Sequence, residues 1–578
     1  MNTIENNIND YLNIKIGTVY NVDTRKIIVF IEDETRINKL KIHDLVIFEG
    51  LNTNQKLVGM VTKVSKKIIE VDEDNEFGEL SSENIASIVL VGTYKMGVGM
   101  SKKNTFTRAV DTYPEINSDV YLAENEVLSI IMNSLSNSIS NDKPFKIGSF
   151  ANKLDVDAIL DGNKFFQRHA AIVGSTGSGK SYTTARMLEK INELEYSNVV
   201  VFDLHGEYNE LSYAKQIKIG SGQNELKMPL WFFKYDEIHS LFIESAVGTS
   251  GNQRAVVIEY ILKKRKEYIL KILSEQFHEN VVTADTPIPF SAIKLLEYLK
   301  EKDIEIVETG ELYKQGEKKG MPKTNQGKHY GKLTSLINRL ETKVDDKKYS
   351  FVFNQEETSE FSYLNKFISE ILEFKDKRIK IIDVSEVPSD MLPIVIGVIT
   401  RIVYDIQFWT TPRKEENRHP VLFVCDEAHI YMPHNTANLP STSIKSLNIF
   451  ERIAKEGRKY GVGLMIVSQR PSELNTTIIS QCNNLISLRI SNDRDKSAVA
   501  SLLTDSLSGL TEVLPNLEIG ECMVVGDAIM LPSKIILDEP IEKPKSATIP
   551  FWDKWHLKEN SRFDIEDALN NMIKQYRD

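Results

Sequence analysis

Cysteine is scarce in this chain, with three in 578 residues: Cys425, Cys482 and Cys522. The count is odd, the spacing fits no metal motif and the neighbours are apolar, which argues against a disulfide framework or a zinc site. Buried free thiols in a reducing cytosol are expected. Long apolar runs are also missing. The longest, "MLPIVIGVITRIVYDI" from Met391, is broken by Arg401. It falls short of the ~18–20 apolar residues of a membrane helix, so it reads as a buried helix and no membrane role is expected. The amino terminus "MNTIENNINDYLN" is polar and lacks the basic-then-apolar plan of a signal peptide. A cytoplasmic protein is the expectation. No internal repeat or heptad run is found. Positive charge does not dominate either, since the net charge is −11. That weighs against a surface that coats nucleic acid throughout. It leaves room for a narrow basic track, because the local field, not the net charge, guides a polyanion.

The length suggests roughly three or four domains at about 150 residues each. A hydrophobic fraction of 41% and a charged fraction of 26% are ordinary for a globular protein. Residues 1–118 read as β, with short alternating runs such as "IKIGTVYNV", "KIIVFIE" and "KLVGMVTKV" separated by turns such as "GLNTN" and "EDNEFG". Six strands at near-even spacing predict a small barrel. Residues 125–165 read as a connector with a Ser/Asn-rich piece, "NSLSNSISNDK".

From about residue 166 continuously apolar strands alternate with helices, which predicts a parallel sheet covered on both faces. This α/β core is assigned to 119–224 and 378–540. Residues 225–377 form a mostly helical insertion containing a Gly/Lys-rich loop, "YKQGEKKGMPKTNQGKHYGK", and 541–578 form a tail ending in a helix.

"GSTGSGKS", Gly174 to Ser181, fits the eight-position phosphate loop at every fixed position, with a strand before it and a helix after it. Gly174, Gly177 and Gly179 let backbone N–H groups turn inward around a phosphate, and Ser175, Thr176 and Ser178 complete the loop. Lys180 is placed to reach the β- and γ-phosphates of ATP, and the Ser181 hydroxyl to ligate Mg²⁺; Tyr182 completes the nucleotide-contacting set. "VLFVCDEAH" supplies the matching acidic strand end. Asp426 is placed to hold the metal, and Glu427 to orient or deprotonate the attacking water.

The letters "DEAH" invite a superfamily-2 helicase reading. The distance from Lys180 and the lack of a second domain's worth of sheet argue against it. "SLSGL" at 506–510 lies after the acidic strand, the wrong side for an ABC signature, and reads as a helix-end turn. "VVVFDLHGEY" ends another strand, so Asp203, His205 and Glu207 either stand beside the phosphates or cap a hydrogen-bonded turn.

"GVGLMIVSQ" is the strand expected after the acidic one, and its end brings Gln469 near the γ-phosphate. The helix before it delivers Arg452 and Arg458 to the opposite edge. From there they either reach a neighbouring subunit's nucleotide as arginine fingers or form surface salt bridges with Glu451 or Glu456.

"RHAAIVGSTGSGKS", "FDLHGEY", "FVCDEAH" and "AKEGRKYGVGLMIVSQRPSE…ISQCNNLISLRI" resemble the HerA branch of the HerA/FtsK ring ATPases. The likeness covers about 145–540 and implies a RecA-like P-loop core behind an N-terminal β-barrel that docks partners. It also implies a homohexamer that hydrolyses ATP at subunit interfaces and threads double-stranded DNA. Arg168, just before the core strand, is nominated by the resemblance as a further arginine acting across the interface. Members work with a separate effector, often a nuclease and in some bacteria a Sir2-like NADase in anti-phage defence. No effector segment is found in this chain. A ring that mainly scaffolds its effector, without processive movement, is the alternative. DNA contact would be through phosphates. The candidates are "KKRK" at Lys263–Lys266 and the loop lysines Lys314, Lys318, Lys319, Lys323 and Lys328, against the plainer reading of a solvated lysine face.

Overall fold

A computed structural model describes residues 8–49, 54–70, 80–97, 104–137, 144–222, 224–242, 250–312, 319–353, 357–373, 375, 377–410, 419–435, 441–503, 505–546, 551–556 and 565–574. The turn "EDNEFG", part of the Ser/Asn-rich piece, and Lys314 and Lys318 lie outside them. The chain divides into two compact units, Met1–Glu193 with Met465–Ile541, and Leu194–Leu464 with Glu542–Asp578.

The first unit opens with a barrel. Its strands are β1 (Lys15–Val22), β2 (Ile27–Ile31), β3 (Leu45–Phe48), β4 (Gln55–Glu70), β5 (Leu80–Lys95), β6 (Thr105–Thr107) and β7 (Asp119–Leu122). They run in the order β2-β1-β7-β3-β4-β5, and β2 pairs with β5 to close six strands, leaving β6 added outside β5. Alternation puts Val19, Val29, Val46, Phe48, Val61 and Ile88 into one buried core. Two expected strands prove to be one. "KLVGMVTKV" and the run that follows it, "KKIIEV", expected as a separate short strand, merge in β4, where register shifts at Val58/Gly59 and Val61/Lys63 bend a long strand around the barrel. The closing position between β1 and β3 is filled instead by β7.

The stretch expected as a connector is largely ordered structure. It holds the helix Asn125–Asn137 and the antiparallel strands β8 (Phe145–Phe150) and β9 (Lys153–Leu160). Buried Phe145, Ile147 and Phe150 in β8 give the apolar face that a linker would lack. These strands extend a sheet that includes β10 (Ala170–Val173), β18 (Asn484–Ser487), β19 (Glu521–Gly526) and β20 (Ser533–Leu537). β10 is flanked in parallel by β18 and by the end of β17 (Val462–Ser468), within which the division of the chain falls. All four residues of β10 are buried, as the continuous apolar run requires.

In the second unit four parallel strands lie in the order β12-β15-β11-β16. They are β11 (Val199–Asp203), β12 (Ala214–Lys218), β15 (Ile379–Asp383) and β16 (Val421–Cys425). The helix Leu392–Trp409 is, among the described residues, the one long and apolar enough to cross a membrane. Most of it is buried inside this unit, and its Arg401 pairs with Glu237 at 2.8 Å.

The insertion is built from the helices Ser250–Tyr268, Ala292–Asp303, Thr334–Asp345 and Ser362–Leu372. The Gly/Lys-rich loop is partly strand. β13 (Ile306–Leu312) and β14 (Pro322–Gln326) form an exposed antiparallel hairpin, joined across the strands by Lys323 and Glu311 at 2.9 Å. "KKRK" is not an exposed basic patch as a whole. Arg265 is fully buried, bonded to the carbonyls of Thr283, Ala284 and Trp231 and lying over the Phe290 ring. Lys264 pairs with Glu267, which leaves exposed Lys263 and Lys266. Helical periodicity is the reason, since a fourth consecutive cation on a packed helix must include a position that faces inward.

Candidate nucleotide site

The phosphate loop belongs to the first unit. β10 ends at Val173, and the helix Lys180–Asn192 begins at Gly179, which adopts a left-handed conformation with φ 100° and gives no side-chain cap. The first N–H groups of the helix are therefore left for an anion. Gly174 is required by contact. A Cβ there would stand 2.6 Å from the Ser178 hydroxyl and 2.8 Å from Leu488 Cβ. The loop is held from both sides, because Gly174 N–H donates to Ser468 O at 3.3 Å and Ser175 N–H to Arg489 O at 2.8 Å. Lys180 is buried, and its Nζ donates to Ser175 O at 3.1 Å. The Ser178 hydroxyl is buried with no hydrogen-bond partner among the described residues, as suits a cradle that offers polar groups to phosphate oxygens. Ser181 and Tyr182 are half-buried on the first turn of the helix.

Gln469 reaches this loop. In register, Val173 of β10 lies beside Ser468 of β17, so Gln469 emerges next to Gly174. Its Oε1 accepts a hydrogen bond from the hydroxyl of Thr176.

The acidic strand end belongs to the second unit. Asp426 and Glu427 follow β16 and are both 5% exposed. Glu427 has φ 41° and ψ 44°, a left-handed conformation uncommon outside glycine and costing about 1–3 kcal/mol, of the kind found at functional sites. His429 Nδ1 lies 3.3 Å from its Oε2.

Phe202 of β11 pairs with Cys425 of β16, and Asp203 of β11 pairs with Asp383 of β15. Three adjacent parallel strands therefore each run out on an aspartate at the same level: Asp383, Asp203 and Asp426. Asp203 caps its own turn. It accepts the N–H groups of His205 at 3.2 Å, Glu207 at 3.1 Å and Tyr208 at 2.9 Å, so the turn reading is realised for this residue. Burial, then the charges of Glu427, Glu207 and Asp203, push the Asp426 carboxyl well above the usual range. Burial raises Asp203 too, against its three N–H donors.

Carboxylates desolvated side by side favour a cation. Among the described residues no group of three or more His, Cys, Asp or Glu is set to ligate a metal. Such an edge suits Mg²⁺ brought in with phosphates and water rather than a metal held by protein alone.

The three nominated arginines differ in what holds them. Arg452 lies over the rings of Tyr404 at 4.9 Å and Phe408 at 5.5 Å, with Glu456 at 3.8 Å. Arg168 pairs with Asp527. Arg458, in the turn Gly457–Tyr460, is exposed, and no ion pair or hydrogen bond engages its side chain among the described residues. Arg470, past the strand, pairs with Glu473 at 3.0 Å. The three cysteines are buried and form no disulfide among the described residues, and burial raises the Cys482 thiol to about 12.

Sequence reading missed Asp383 and Asp527. The first was visible as the last polar residue of "IKIID"; the second sits in the turn "GDAIM" with no motif to mark it.

A buried strand, a glycine-bounded loop, an uncapped helix start and a buried lysine define a P-loop ATPase. Residues 145–403 match the family model described as the central domain of helicase HerA. A probable helicase of Methanocaldococcus jannaschii is 26% identical over 533 residues, covering 90% of this chain and 92% of the relative. The DNA double-strand break repair helicase HerA of Saccharolobus solfataricus is 28% identical over 491 residues, covering 84% and 85%. Among solved structures, VirB4 of Thermoanaerobacter pseudethanolicus aligns at TM-score 0.45 and 14% identity, over 72% of this chain and 98% of that one. The chain is thus similar to HerA-type ATPases over most of its length.

Proposed function

We propose that this protein is an ATP-driven translocase on double-stranded DNA, working as a homohexameric ring with a separate effector. The observation that carries the reading is the bond from Thr176 to Gln469, which ties the phosphate loop to the next strand. A small-molecule kinase has no need to signal phosphate occupancy along a strand. A motor does. The HerA match supports DNA as the track.

In this reading the N–H groups of residues 174–179, with Lys180, bind the ATP phosphates, and the residues that would hold Mg²⁺ are Ser181 and Asp426. Mg²⁺ bound with ATP neutralises charge on the phosphate oxygens. Glu427, held in its strained conformation, orients the attacking water and takes its proton. Gln469 registers the γ-phosphate through Thr176. Arg458 is the best supported finger toward a neighbouring subunit, because Arg452 lies on aromatic rings of its own chain; Arg168, held by Asp527 and still 37% exposed, acts beside it in turnover. Lys319, Lys323 and Lys328, on and beside the exposed hairpin, remain candidates for DNA phosphates. The barrel is the proposed docking surface for the effector, a nuclease or a Sir2-like NADase, with anti-phage defence as the setting.

The alternative is a ring that scaffolds the effector without moving along DNA; the net charge of −11 and the closed barrel favour it. The test is Mg²⁺-dependent ATPase activity with and without linear duplex. A DNA-stimulated rate that falls steeply with salt supports the motor. An effector activated equally by the Glu427→Ala ring supports the scaffold. Absence of ATPase activity, with and without a partner, overturns both.

A further inference from the structure

Asp527 lies in the turn between β19 and β20, and two arginines from opposite parts of the first unit converge on it. One is Arg168, the residue that ends the helix Gly162–Gln167 and stands two positions before β10. Its Nη1 pairs with Asp527 Oδ2. The other is Arg108, which follows the outer barrel strand β6. Its Nη1 is 3.6 Å from Asp527 Oδ1, its Nε donates to Met530 O at 2.9 Å, and its Nη2 donates to the carbonyls of Gly526 and Ile529. The turn is thus wrapped around a barrel arginine. Asn483 completes the set: its Nδ2 donates to Asp527 Oδ2 at 3.3 Å, its N–H to Arg168 O at 3.0 Å, and its carbonyl accepts Asp527 N–H at 3.2 Å.

A lone structural ion pair needs one arginine. Here one carboxylate is shared, and the shared group joins the barrel to the entry of the phosphate-loop strand. A guanidinium offers five donors in a rigid fork, and Asp527 uses one edge of Arg168. The Arg168 side chain keeps 37% of its surface exposed, and no hydrogen bond or ion pair besides that to Asp527 engages it among the described residues.

We propose that Asp527 is a positioning residue that aims Arg168 and couples its orientation to the barrel through Arg108. This rests on the reading that Arg168 acts in nucleotide turnover. A partner that displaces the barrel then moves the β19–β20 turn, and with it the arginine, without touching the nucleotide.

The experiment uses the full chain, with steady-state ATPase kinetics and thermal midpoints for Arg108→Ala, Asp527→Asn, Asp527→Glu, Arg168→Ala and the Arg108→Ala/Arg168→Ala double variant. Arg108→Ala and Asp527→Asn are expected to lower kcat about threefold or more while KM for ATP stays within about twofold. Asp527→Glu should recover part of the loss, and the double variant should match Arg168→Ala alone. Independent, multiplying losses in the double variant overturn the coupling. So does wild-type kcat in both Arg108→Ala and Asp527→Asn when Arg168→Ala is impaired, an outcome that leaves the reading of Arg168 standing. Wild-type kcat in Arg168→Ala removes that reading and the proposal together. A midpoint loss with KM and kcat unmoved assigns the cluster to stability alone and also overturns it.

Discussion

The hydroxyl of Thr176, in the phosphate loop, donates to the side-chain carbonyl of Gln469, one residue beyond β17. Gln469 is therefore tied directly to the phosphate loop. Gln469→Ala is expected to keep ATP binding near wild type and lower kcat about tenfold or more, since the group acts on the reacting phosphate rather than on the bound base or sugar. Equilibrium binding of a fluorescent ATP analogue beside steady-state turnover separates the two. Equal losses in both would rule out the sensing role.

Lys180→Ala should abolish measurable turnover, by about 100-fold or more, because a buried ammonium aimed at the phosphates has no substitute in the loop. The circular dichroism spectrum should be unchanged.

Arg458→Ala and Arg452→Ala should part company. Arg458 is exposed and unpaired among the described residues, so its loss should leave folding intact and reduce turnover about 10³-fold, the scale of an arginine finger. Arg452 lies on Tyr404 and Phe408, so its loss should lower the thermal midpoint. Mixing Arg458→Ala with Glu427→Ala subunits and recovering partial activity would show that the arginine serves a neighbour.

Asp426 and Asp203 carry raised carboxyl pKa values through burial and then the charge of neighbouring carboxylates, Glu427 first for Asp426 and Asp383 for Asp203. A folded carboxyl that holds its proton above the ordinary value makes the folded state the more protonated one. Stability then falls as pH rises through and above the ordinary carboxylate range. Asp426→Asn removes this burden, so the nucleotide-free thermal midpoint should rise by about 2 °C or more at pH 7 and the gain should shrink toward pH 4. Midpoint curves against pH, without Mg²⁺, test the sign.

Lys380 is fully buried in β15, with its Nζ bonded to Asn198 Oδ1, and burial lowers its pKa to about 7. The unfolded chain keeps that proton up to the ordinary lysine value of 10.5. The penalty of burying it therefore grows as pH falls from 10.5 to 7 and is constant below. Lys380→Met should stabilise the protein more at pH 7 than at pH 9.5, which differential scanning calorimetry reads directly.

Much of this was legible in the residues. The phosphate loop could be read because the chemistry fixes glycine, lysine and serine at set intervals, and β10 and β16 because parallel strands must be apolar throughout. β4 escaped because two bulges break the alternation of a single bent strand. The hairpin β13–β14 escaped because its strands bury nothing and leave no apolar pattern. Arg265 looked like one cation among four, and only packing reveals the turn of helix that draws it inside. Asp527 escaped for another reason: its arginine partners lie more than 300 residues away, and no local pattern records so distant a pairing.

The β2–β5 pairing carries a consequence for recognition. A sheet with a long free edge can capture an extended peptide by main-chain hydrogen bonds, which accept nearly any sequence. Beyond Val61, β4 pairs with β5 alone, and the outer strand β6 has three residues; the closed six-stranded part spends its edges on itself. A protein that meets it must read side chains. A partner docked on this surface would therefore be exchanged in evolution by repainting side chains, with the closed framework left alone.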